Sequence, residues 1–141
     1  MSRRPLKYQT QWSAQFFAAA ELTRRGYLVS LTLGNAPVVD LLVVSPTGTH
    51  FQVDVKGLSS RNFWLIRERP CPPDLFFILV HVPLKGGHPN FFVLPASTVM
   101  SEIANLRQKT LDQRKKWVDW GAGLNWGTAA PYQDRWDLLP Q

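Results

Sequence analysis

The stretch VVDLLVVSPTGTHFQVDVKG, residues 38–57, decides the fold. Two apolar runs, 38–44 and 50–56, flank SPTGT, where Pro46 and Gly48 suit a tight turn. The pattern predicts a β-hairpin. Three charges interrupt it: Asp40, Asp54 and Lys56. Burying unpaired charge is costly, so charges in such strands need a reason to be there.

Register sharpens the question. With the turn centred on Thr47, Val44 faces His50 and Asp40 falls opposite Asp54. Opposed residues of an antiparallel pair hold their Cβ atoms about 4.5–5.5 Å apart. Two carboxylates so placed repel, and one is driven to protonate unless a cation lies between them. Lys56 and Gln52 share the face of Asp54, while Val53 and Val55 point the other way.

Outward from the hairpin, residues 10–25 predict a helix. Alanines are dense there, Pro and Gly are absent, Arg24 and Arg25 fall in the last turn, and Gly26 is a stop. A strand is expected over 27–33, then a turn at GNAP. NFWLIRE (62–68) reads as a further strand. DLFFILVHV (74–82) is apolar on both faces and so reads as a central strand. NFFVL (90–94) follows, and Ser97 or Thr98 is placed to cap a second helix with Val99, Ile103 and Leu106 on one stripe. Helix, strands, helix predicts an α/β fold, a mixed sheet flanked by helices, in a single domain over 1–141. Residues 113–141, rich in Trp and Gly without a clean period, read as a C-terminal extension.

Composition narrows the function classes. Hydrophobic residues make up 45% of the chain, too many for a disordered protein. No apolar run is long enough to span a bilayer, and the basic start MSRRPLKYQTQ lacks the apolar segment of a signal peptide. One cysteine, Cys71, excludes an internal disulfide and a multi-cysteine zinc site, so a reducing, cytoplasmic setting is expected. The net charge of +6 favours a polyanionic partner, nucleic acid foremost.

A divalent metal would resolve the carboxylate conflict. Magnesium takes hard oxygen ligands, often one or two carboxylates with water and phosphate. Asp40 and Asp54 are the expected ligands, with Lys56 beside them. Such a set suits phosphodiester hydrolysis: a metal activates water and offsets the charge of the transition state, and a lysine orients the water, deprotonates it or stabilises charge. A plainer reading makes Asp40 a solvated strand-edge residue and Asp54–Lys56 a surface ion pair.

The order of these residues resembles the PD-(D/E)XK nuclease superfamily, which includes restriction endonucleases and archaeal Holliday-junction resolvases. PVVD supplies the first half of the motif through Asp40, and DVK the second through Asp54 and Lys56. AQFFAAAELTRRGYLVSL looks like the family's first helix and following strand. The resemblance implies a restriction-endonuclease-like core, dependence on Mg2+ or Mn2+, and cleavage of DNA; chains this short in the family often pair, which implies a homodimer. Members often carry a helical Glu where this chain has Gln15, an amide that brings no charge. Glu21, the helix's one acid, points elsewhere and reads as solvated. The catalytic candidates are thus Asp40, Asp54, Lys56 and Gln15.

Arg61, Arg67 and Arg69 follow the D-x-K strand and are candidates to line a DNA path, as are Lys115 and Lys116, interleaved with Trp117 and Trp120. Each also reads as an ordinary surface charge, and the tryptophans as core. A non-catalytic nucleic-acid-binding module or an interaction domain of the same fold is the alternative function.

Overall fold

In the computed structural model, which describes residues 7–32 and 39–141, the chain forms a mixed five-stranded sheet with helices on both faces. Helix α1 (Lys7–Arg24) is followed by β1 (Leu28–Leu31), β2 (Leu41–Val44), β3 (His50–Leu58), β4 (Phe63–Leu65), β5 (Leu75–His81) and β6 (Asn90–Pro95). Helix α2 (Ala96–Asp112), β7 (Gly123–Asn125) and the short α3 (Trp126–Ala129) follow, with three single-turn 3₁₀ helices among the described residues. The sheet order is β1-β2-β3-β5-β6. β3 runs parallel to β5, and the other neighbours are antiparallel. This is the expected α/β class. The GNAP turn, Pro37 of the first half motif and the end of the first expected strand lie outside the described residues.

Local chemistry explains the elements that position the site. Helix α1 ends at Gly26, whose φ of 94° only glycine adopts freely. The Gly26 amide donates to Thr23 and the Tyr27 amide reaches back to Leu22, a Schellman closure that satisfies the last carbonyls. The β2–β3 turn closes through Ser45 and Thr49, with Gly48 at a φ of 96°. Its register is the expected one: Val44 pairs with His50 and Leu41 with Val53.

Alternation divides the sheet into two cores. One face packs Ala14, Ala18 and Leu22 of α1 against Leu41, Val43, Val53, Val55, Ile78 and Val80. The opposite face packs Val99 and Ile103 of α2 against Phe77, Leu79, Phe92 and Leu94. β5 contributes to both, so it is central in packing as well as in order.

Two expectations need correction. Helix α2 begins at Ala96 behind Pro95 with no side-chain cap, so Ser97 and Thr98 lie inside its first turn. NFWLIRE is a strand over only Phe63–Leu65, and it pairs with β7 in a separate two-stranded sheet. The stretch read as an extension is built into both cores. It delivers Trp136 and Leu139 to the α1 face and Ala122, Leu124 and Ala129 to the α2 face.

Candidate active site at the open edge of strand β3

The site forms because β2 is shorter than β3. Ladder pairing stops at Leu41–Val53, while β3 continues to Leu58. Beyond that point, among the described residues, the edge of β3 facing β2 has backbone groups with no strand beside them, and side chains take the strand's place. The Asp40 amide still donates to the Val53 carbonyl at 3.1 Å. Its carboxylate then accepts the Val55 amide through Oδ2 at 2.7 Å. Gln11 of α1 takes the next pair: its Nε2 donates to the Val55 carbonyl at 2.6 Å, and its Oε1 accepts the Gly57 amide at 2.9 Å. These contacts satisfy the edge and fix Asp40 and α1 against β3.

Gly57 makes the approach of α1 possible. A Cβ there would lie 2.8 Å from Ala14 Cβ and 2.9 Å from the Thr10 carbonyl oxygen. Gln15 stands one turn beyond Gln11, so both amides face β3. Gln15 is buried, and its Nε2 donates to Asp40 Oδ1 at 3.2 Å. The two oxygens of Asp40 are therefore held by a backbone amide and a side-chain amide. Burial pushes the Asp40 pKa up to about 6; the Val55 N–H opposes the shift, and the negative charge of Asp54 adds to it.

Asp54 lies on β3 beside Phe77 of β5 and is buried. Arg69, from the segment between β4 and β5, donates from Nη2 to Asp54 Oδ2 at 3.0 Å, and its guanidinium lies over the Phe77 ring. Lys56 Nζ is 3.3 Å from Asp54 Oδ1. That distance is an ion pair without a hydrogen bond, and among the described residues Oδ1 is left buried without one. Asp40, Asp54, Lys56 and Gln15 thus meet at one place. Neither plain reading survives intact: Asp40 is half-buried and hydrogen-bonded, and the Asp54–Lys56 pair is anchored on a buried carboxylate.

The chemistry of these residues suits a divalent cation. Two carboxylates are hard oxygen donors of the kind magnesium takes. Asp54 Oδ1 is a buried carboxylate oxygen with no hydrogen bond among the described residues, its one charged neighbour being the Lys56 amine. On both grounds the residues fit. Among the described residues no group of three or more His, Cys, Asp or Glu converges, so a cation here would rest on two carboxylates with water or phosphate.

The basic candidates are dispersed. Arg69 turns inward to Asp54 rather than along a surface path. Arg61 stacks on Trp126, its guanidinium 4.2 Å from the ring centre. Arg67, Lys115 and Lys116 are exposed. Trp117 packs on the α2-side core and donates to Asp119, whereas Trp120 is 74% exposed. Glu21 pairs with Arg24 and Arg25, clear of the site. Beside Lys56 opens a cleft of about 520 Å³ lined by Lys7, Thr10, Gln11, Gly57 and Trp64.

Sequence reading missed the roles of Gln11 and Gly57. The signal was present, since Gln11 and Gln15 are four residues apart on the helix face that also carries Ala14, Ala18 and Leu22. Searches against family models, curated proteins and solved structures gave no significant match.

Proposed function

We propose that the protein is a divalent-metal-dependent nuclease with a restriction-endonuclease-like core, hydrolysing DNA phosphodiester bonds. The observation that carries the reading is the buried, unbonded Oδ1 of Asp54, beside the Asp40 carboxylate and the Lys56 amine. Asp40 and Asp54 would hold Mg2+ or Mn2+. Such an ion supplies Lewis acidity, activating water and offsetting negative charge on the phosphate.

The chain's own groups have distinct tasks. Gln15 and the Val55 amide fix the Asp40 carboxylate, so its orientation is set before substrate arrives. Lys56 projects from a rigid strand, with its side chain 34% exposed. It places a positive charge where negative charge builds on the phosphoryl oxygens. The net charge of +6 favours approach of a polyanion.

One observation favours a second reading, a nucleic-acid-binding module without cleavage. Arg69 and Lys56 already compensate Asp54 without a metal. A panel of labelled duplex, branched and single-stranded DNA, incubated with Mg2+, Mn2+ or chelator, separates the two. The nuclease reading expects cleavage of at least one form with metal and none with chelator. Binding without cleavage of any form favours the module.

A further inference from the structure

We infer that Arg69 is a resident counter-cation of Asp54, and that a divalent cation entering the site without a substrate phosphate displaces it. The inference rests on the metal-site reading above and assigns Arg69 a role distinct from a surface contact to DNA.

Charge balance motivates it. Asp40 and Asp54 bring two negative charges, and Lys56 and Arg69 bring two positive ones. A divalent ion would add two more positive charges to a small, partly buried volume, where repulsion is weakly screened. One resident cation must therefore move away or an anion must arrive. Lys56 is fixed at its base by a sheet strand paired on β5. Arg69 lies outside the sheet, between β4 and β5, with its side chain 26% exposed. It also holds the second oxygen of the carboxylate, with its Nη2 on Oδ2 at 3.0 Å. Of the two cations, Arg69 is the one whose base lies outside the sheet, and its hydrogen bond to Oδ2 ties up the second oxygen of the carboxylate an incoming ion would share.

The arrangement explains how Asp54 tolerates burial without metal. It also provides a guanidinium that, once released, stays within a side chain's length of the site and suits a phosphate group. Arg69 is a positioning residue in this account: it acts through Asp54.

Calorimetric binding of Mn2+ to wild type, Arg69→Met and Arg69→Lys, with melting temperatures in chelator, tests the inference. Arg69→Met should bind Mn2+ at least about tenfold more tightly, because a repelling charge is gone, and should melt lower without metal. Arg69→Lys, which keeps the charge, should stay within about threefold of wild type. If wild type binds Mn2+ and Arg69→Met binds equally or more weakly, the inference is overturned while the metal site stands. If neither binds Mn2+, the metal site fails and the inference falls with it. Should Arg69→Met fail to fold, Arg69→Gln, which keeps an N–H donor and loses only the charge, makes the same comparison.

Discussion

Asp40 and Asp54 are chemically identical side chains in opposite circumstances. Asp40 has its pKa raised to about 6, mainly by burial, and no cation within ion-pair distance among the described residues. A carboxyl whose folded pKa lies above its unfolded value contributes stability at low pH, and that contribution is lost as pH rises through the folded pKa. Without metal, Asp40 should therefore erode stability between about pH 4 and pH 6. Asp40→Asn should remove that falling limb and raise the melting temperature at pH 7 by about 3–6 °C. The variant can keep the Val55 hydrogen bond through its amide oxygen, while Gln15 turns its own amide to match. Thermal scans in chelator across pH 4–8 check this, and an unchanged limb would contradict it. Asp54→Asn should behave oppositely. It strips Arg69 and Lys56 of a buried partner, so the metal-free protein should melt lower. Equal shifts of the same sign in the two variants would contradict the assignment of the cations to Asp54.

At the scale of elements, the meeting of α1 and β3 controls the geometry of the site. Gly57→Ala would drive a methyl into Ala14 and the Thr10 carbonyl, forcing α1 away. A destabilisation of about 1–3 kcal/mol is expected from such overpacking. Gln11 and Gln15 would lose their reach to β3, so Mn2+ affinity should fall with stability. Denaturant unfolding and calorimetry on one preparation check both; a neutral result would show that the helix has room. Much of this region was legible in the sequence, because alternation in 38–57 and the turn residues dictate register, and register places Asp40 near Asp54. Gly26 likewise announced the end of α1. What was hidden depends on contacts between elements. No local pattern says that β2 stops early, that Gln11 caps the exposed edge, or that Arg69 folds back onto Asp54. Strands β4 and β7, three residues each, are too short to carry a period.

On the scale of the whole molecule, the segment after α2 holds the fold together. Trp136 is buried in the α1-side core against Phe91, and the Tyr27 hydroxyl donates to the Pro140 carbonyl at 2.8 Å. Trp136→Ala should cost about 3–5 kcal/mol. Trp136→Phe should cost far less, since the buried indole N–H has no hydrogen-bond partner among the described residues to lose. Urea denaturation checks the pair, and equal losses would mean that the indole nitrogen matters more than its ring. These cores hold β3 rigid, and rigidity is what gives Lys56 a defined place beside the carboxylates. The most direct test of the account is the single-turnover cleavage rate of Lys56→Ala against wild type, on whichever DNA form is cut with Mg2+ or Mn2+. The account predicts a fall of at least about a hundredfold with folding nearly unchanged. A rate within a few-fold of wild type, or a wild type that cuts no DNA form with either metal, would contradict it.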